Sequence, residues 1–551
     1  MTRKLEDWLL TSQERGNPAT ILDERHAGKA AWSTGNQVRP LVHGAVYFAE
    51  LLAGVNELRA GDSLLFADWR GDCDELLAGA GSEVAHVLCA AAGRGVVVRG
   101  LVWRSHPDRM RFSARENRHL GDVIEAAGGE CLLDTRVRPG GSHHQKFVVL
   151  RHPGRPQLDV AYVGGIDLAH SRHDDAGHAG GPQAQPIAAV YGDRPPWHDI
   201  QVAIRGPAVG DVEAIFRERW QDPAPLSRNP VHRLRALGHH QDTHAGSLPP
   251  QLPDPAPRGS HTVQLLRTYP NLRRGYGFAP DGERSIARSY LKVLRRARSL
   301  IYLEDQYLWS PQVAAPFAAA LAANPGLHLI AVIPRFPDQD GRLALPPNIV
   351  GHNLALEMLY RSGGDRVRVY GIENPAGTPV YVHAKACIID DVWASVGSDN
   401  FNRRSWTHDS ELSCAVLDET LDPREPRTPG GPGQHARAYA RDLRLTLARE
   451  HLDRPAGDDA DLCDPRSAFA AFARSAAALD AWHAEGRPGQ RPPGRLRTYQ
   501  TPSLSRWTRT WATPLYRCFY DPDGRPPALR ISAGACRQVR QAIAPRGMGG
   551  R

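Results

Sequence analysis

At 551 residues the chain is longer than one ordinary domain and has room for about two to four. Hydrophobic residues make up 41% and charged residues 23%, a balance that excludes a disordered or fibrous chain. The formal net charge of +8 favours an anionic partner, a phospholipid surface or a nucleic acid, although a general preference for arginine explains much of it.

Eight cysteines (73, 89, 131, 387, 414, 463, 518 and 536) form no C-x-x-C pair, which argues against a zinc ribbon or redox motif. No apolar segment follows Met1-Thr2-Arg3-Lys4 and no run reaches about 18 apolar residues. The expected location is therefore cytoplasmic or peripheral to a membrane. Helical periodicity over 41–59 leads into a strand at 63–69, a helix over 82–93 and a valine-rich strand at 95–103. A strand from His144 turns at Arg151 to Pro156 and returns as Val160-Ala161-Tyr162-Val163, a hairpin that runs into Gly164-Gly165. The insertion 169–196 reads as a lid rather than a metal site, despite His170, His173, Asp174, Asp175 and His178. A strand at 197–204 and a helix over 208–220 close this half, and Pro/His-rich residues 221–262 read as a linker.

The second half repeats that order. It has a helix over 284–298, a strand at 299–307, a helix over 311–323 and a strand at 327–334. A helix over 351–362 follows, then strands at 366–372, 382–390 and 411–416. Ser63 to His144 is 81 residues and Ser299 to His383 is 84, so the chain reads as an internal duplication with an α/β fold in each half. Beyond it, 469–483 reads as an amphipathic helix. Arginines 487 to 509, interleaved with Trp507 and Trp511, suit either an anionic surface or a strap around the body; the strap is the expectation.

Within Val382 to Asp390, His383 and Lys385 are expected on one face of a buried strand. His144-Gln145-Lys146 repeats the pattern. Twenty-four histidines and five lysines scattered over 551 positions would give about 0.2 His-x-Lys triplets, yet there are two. Arginine supplies the other 63 of 68 basic residues, so the compact ammonium is wanted at these two places. Gly164-Gly165-Ile166-Asp167 follows the first motif, and Gly397-Ser398-Asp399-Asn400 takes the same place after the second. Imidazoles, ammonium groups and carboxylates in this grouping suit phosphodiester chemistry. One His-x-Lys is usually a surface accident, and two in register are not.

These stretches resemble the phospholipase D superfamily, whose signature is two H-x-K-x4-D motifs on duplicated α/β halves. Ser142-His143-His144-Gln145-Lys146, Gly164 to Leu168, Trp197-His198-Asp199 and Tyr302 to Tyr307 look like its phospholipid-acting branch, over roughly residues 35–450. The resemblance implies two halves related by pseudo-twofold symmetry, each a mixed β-sheet flanked by helices, with the active site at their interface. The expected division is 1–220, a linker at 221–262, 263–451 and a tail at 452–551. Catalytic roles are implied for His144, Lys146, His383, Lys385, Asp390, Asp199 and Glu411, the last two orienting the histidines. Substrate contacts are implied for Gly165, Asp167, Ser398, Asn400 and Arg404. No metal or cofactor is expected, because two lysines carry the charge that divalent ions carry elsewhere.

The function this implies is a phosphodiesterase or phosphatidyltransferase acting on phospholipids through a phosphohistidine, with His144 as nucleophile. Cardiolipin synthase-type transfer, a nucleic-acid phosphodiesterase and a catalytically weakened binding protein are the alternatives. The expected partner is phospholipid with peripheral membrane contact, ahead of nucleic acid, and a monomer is the default. One departure stands out. Arg151 occupies the place of the first motif's aspartate, which Asp390 fills in the second. The turn after Arg151 predicts a side chain pointing outward.

Overall fold

The computed structural model describes residues 5–104, 114–227 and 245–526, together with 234 and 529. Cys536 and most of the linker between 228 and 244 lie outside the described residues. The first half contains β1 (Ser33–Val42), β2 (Ser63–Asp68), β3 (Val97–Trp103), β4 (Glu130–Asp134), β5 (Phe147–Arg151), β6 (Val160–Gly164), β7 (Trp197–His198) and β8 (Ile200–Arg205). The second contains β9 (His261–Tyr269), β10 (Glu283–Arg284), β11 (Leu300–Glu304), β12 (His328–Val332), β13 (Val367–Glu373), β14 (Pro379–Val382), β15 (Ala386–Ile389), β16 (Trp393–Gly397) and β17 (Glu411–Asp418); β18 (Leu496–Thr498) comes from the tail.

The pairings run β4-β3-β2-β5-β6-β8-β1 in the first half and β13-β12-β11-β15-β16-β17-β9 in the second. In both, the three strands at one end are parallel and the rest antiparallel. The two orders match strand for strand, and β1 joins β9 through an irregular antiparallel pairing. This is the duplicated α/β fold that the spacing predicts, with the mixed sheets that the resemblance implies.

Side-chain alternation explains the layers. Leu64, Phe66, Val148 and Leu150 pack outward under helices α1 (Gly44–Asn56), α2 (Val84–Gly93) and α3 (Ala114–Ala126). Leu65, Ala67, Phe147 and Val149 face inward. In the second half Cys387 and Ile389 face outward while Ala386 and Ile388 join that same inner core. Strands buried on both faces read as unbroken apolar runs, which is why the motif strands are legible.

Helix α4 (Ala208–Trp220) is buried along its whole length. Its polar residues are therefore paired: Arg219 Nε lies 2.7 Å from Asp134, and Glu218 accepts from Arg267 at 2.5 Å. In the second half α5 (Ser285–Val293), α6 (Pro311–Ala323) and α7 (Leu345–Gly363) pack on the outer face, and α8 (Ala438–His451) packs on the inner core. The tail is a strap in its described part. β18 pairs with β13, and Arg497 bonds Glu373 at 2.7 Å.

The structure corrects the motif strand. His383-Ala384-Lys385 lies between β14 and β15 rather than inside one ladder. β14 leaves its sheet to pair in parallel with β7 of the other half, with Val382 opposite His198. The N–H groups of His383 and Ala384 both donate to the His198 carbonyl, at 2.7 and 3.1 Å.

Candidate active site

Each histidine takes its carboxylate from the opposite half. His144 Nδ1 lies 2.9 Å from Glu411 Oε2, and His383 Nδ1 lies 2.6 Å from Asp199 Oδ2. The backbone helps to fix the first pair: the His144 N–H donates to the Ser410 carbonyl at 2.9 Å, and the Ser410 N–H to the Ser142 carbonyl at 3.0 Å. A carboxylate on Nδ1 leaves Nε2 as the unengaged nitrogen of each ring.

The two lysines sit beside the rings. Lys146 Nζ donates to the His144 carbonyl at 2.9 Å and lies 3.4 Å from Asp167. Lys385 Nζ donates to the His383 carbonyl and, at 3.3 Å, to Gln306 Oε1. Both histidines are held well below the usual imidazole range, by burial first and then by the lysines. Burial, followed by Asp409, pushes Glu411 up to about 8. Burial also lowers Lys385, to about 8, with Lys146 and Arg172 adding to the effect. A phosphodiester anion bound between the rings would supply the missing negative charge and raise both imidazoles and Lys385.

A pH dependence follows. Lys385 gives up its proton near pH 8, so kcat/KM should fall as pH rises through that region. In Lys385→Arg, whose cation does not titrate there, the alkaline limb should move upward while the maximal rate drops. An unmoved limb in a log rate–pH plot would remove Lys385 as its source.

Other expected site residues do different work. A Cβ on Gly165 would collide with the Asp199 carboxylate, so this glycine makes room for the acid. The Ser398 hydroxyl donates to Glu411 at 2.6 Å. Arg404 is tied to Asp409 at 2.7 Å and to tail carbonyls of Phe519 and Tyr520. In the folded chain Gly165 and Ser398 thus support the histidine pairs, and Arg404 holds the strap. Asn400 is buried, and its Oδ1 has no hydrogen-bond partner.

Asp390 lies at the far end of β15. It accepts N–H bonds from Arg298, Ser299 and Leu300 at 2.7–2.9 Å, fastening the start of β11. Arg151 is corrected too: it is 1% exposed, with Nη1 2.6 Å from Glu213 and Nε 3.0 Å from Asp159. The outward orientation fails because partners on α4 and across the hairpin neutralise it.

Sequence reasoning missed several neighbours. Arg172, from the insertion, lies 3.2 Å from Asp167 and stacks 4.4 Å over Trp197. The Trp197 ring lies 5.0 Å from His383, and Trp69 lies 6.3 Å from His144. Single residues in loops carry no periodic signal, so only the Trp-His-Asp stretch could have pointed to one of them.

The family model described as "Phospholipase D" matches residues 133–314, and "Cardiolipin synthase, PLD-like domain" matches 345–422. Phospholipase D alpha 1 of Ricinus communis is 26% identical over 426 residues, covering 59% of this chain and 50% of that protein. Phospholipase D alpha 2 of Oryza sativa subsp. japonica is 24% identical over 492 residues, covering 68% and 59%. The chain thus spans about half the length of these curated relatives. The crystal structure of phosphatidylserine synthase from Haemophilus influenzae Rd KW20 aligns with a TM-score of 0.47 at 12% identity, over 70% of this chain and 82% of that one. With one family model over each His-x-Lys motif and this set of relatives, the chain is similar to the phospholipase D superfamily in both of its halves.

Proposed function

We propose that the protein is a phospholipid phosphodiesterase or phosphatidyltransferase working through a phosphohistidine. The supporting observation is the reciprocal pairing, His144 with Glu411 and His383 with Asp199, each across the two halves. In the reading we favour, His144 Nε2 attacks phosphorus and the P–O bond to the headgroup breaks. His383 gives its proton to the departing alkoxide. Water or an alcohol then loses a proton to His383 and attacks phosphorus, breaking the P–N bond and freeing His144. Lys146, Lys385 and Asn400 face the equatorial oxygens and offset their growing charge. Asp167 positions Lys146.

Phosphatidylcholine incubated with the protein should give phosphatidic acid and choline, and a primary alcohol should divert product to a phosphatidylalcohol. Cleavage of a nucleic-acid diester with every phospholipid left intact would overturn the lipid reading. The match to a cardiolipin synthase domain favours a second acceptor, a lipid alcohol. Phosphatidylglycerol alone should then yield a diphosphatidyl product. Because lysines supply the charge, adding Mg²⁺ or Ca²⁺ to the protein as purified should leave the rate unchanged. Stimulation of about tenfold or more would count against lysine-borne stabilisation.

We place the bilayer contact at the tail segment 506–519. Trp507 is 76% exposed and Phe519 is 70% exposed, with Arg506 and Arg509 alongside. This apolar and basic mixture suits an anionic interface. Among the described residues no helix is long and apolar enough to cross a membrane.

A further inference from the structure

Behind the Asp199–His383 pair is a second cluster that the proposed chemistry does not use. His43 follows β1, His178 lies in the insertion, His198 ends β7, and Glu450 lies in the last turn of α8. Their ligand atoms all lie within 4.8 Å of one another, and the three histidines are buried. His43 Nε2 lies 2.8 Å from Glu450 Oε2, while His178 Nε2 and His198 Nδ1 lie 3.1 and 3.4 Å from Oε1. A tetrahedral centre with bonds of about 2.0–2.2 Å has ligand–ligand edges of about 3.4 Å. The three contacts approach that edge.

We propose that His43, His178, His198 and Glu450 form a four-ligand structural site for a divalent transition-metal cation, with zinc the best chemical match. Three imidazoles and one carboxylate are a borderline donor set suited to zinc, and four protein ligands leave no open position for catalysis. The surroundings fit. His198 Nε2 lies 2.6 Å from Glu304, and His178 Nδ1 lies 3.7 Å from Asp174. A carboxylate on the outer ring nitrogen, as Glu304 is on His198, orients a metal-bound histidine in this way. His198 Nδ1, which faces Glu450, is buried without a hydrogen-bond partner. His43 and His178 adopt φ of 72° and 51°, conformations that non-glycine residues hold only when the surroundings impose them. Glu450 is the one ligand with some exposure, and Arg495 stands 4.0 Å away on that side.

The competing occupant is a proton. Without a cation His198 would carry both ring protons, one toward Glu304 and one toward Glu450. Although burial opposes this, the two carboxylates raise His198 to about 10. A bound cation would replace the Nδ1 proton and keep the Nε2–H bond to Glu304. It would also tie the insertion, β1, β7 and the last turn of α8 behind Asp199, whose carbonyl accepts the His43 N–H at 2.9 Å.

The test is metal content. Purified full-length protein, passed through a desalting column after brief EDTA treatment, should retain about one zinc per chain. Protein loaded with Co²⁺ should show the intense visible bands of a tetrahedral site. His43→Ala and Glu450→Gln should each lower zinc below about 0.2 per chain, with circular dichroism confirming a folded chain. His451→Ala, which removes a neighbour of Glu304 but no proposed ligand, should keep the metal. Native protein that neither retains zinc nor gives tetrahedral cobalt bands would overturn the site in favour of the proton. Zinc lost in His451→Ala but kept in His43→Ala would overturn this ligand set. Neither readout depends on lipid turnover, so failure here is distinct from failure of the proposed function.

Discussion

Replacing either histidine by alanine should reduce phospholipid turnover by about 10³-fold or more, because each ring serves a separate proton or bonding role. The double variant should be little worse than either single one, since the residues act as a unit. A diester with a good leaving group, such as a nitrophenolate, separates the roles. Its departure needs no proton, so His383→Ala should retain a burst of nitrophenol, while His144→Ala should lose it. The trapped species should carry phosphate on histidine, labile in acid and stable in base. A burst in His144→Ala and none in His383→Ala would reverse the assignment. Full turnover in either variant would reject a shared site.

How much of this is readable in the sequence depends on range. The duplication is legible because strands buried on both faces give long apolar runs and because lysine is rare in this chain. The partners of the histidines are reached only by resemblance: His383 and Asp199 are 184 positions apart, and β7–β14 pairing brings them together. The metal cluster is hidden for the same reason, His43 and Glu450 being 407 positions apart. The insertion reads as a lid from its composition, while its Arg172 and His178 enter two different clusters of the folded chain. At Arg151 local turn chemistry misleads, because Glu213 lies 62 positions away.

Arg151→Asp should destabilise the fold by about 3–5 kcal/mol, the cost of breaking a buried ion pair, rather than alter the chemistry. The native cluster of Arg151, Asp159, Glu213 and Arg217 is neutral, with Arg217 Nε 2.7 Å from Glu213. The substitution leaves three buried carboxylates against one guanidinium. In the second half the polarity is reversed: Asp391, beside Asp390, is bound by Arg441 and Arg444 of α8 at 2.9 and 2.5 Å. Combining Arg151→Asp with Glu213→Arg restores neutrality and should recover part of the loss, a favourable coupling in a double-mutant cycle read by urea unfolding. Asp390→Ala strands three N–H groups, at about 1–3 kcal/mol each, and should also unfold early. The first half needs no such carboxylate, because the Gly61 and Asp62 N–H groups already donate to the Gly95 and Arg59 carbonyls at 3.0 Å. Kinetics on the folded fraction should stay near native for Arg151→Asp. Native stability with a large loss of kcat would instead put Arg151 in the active site.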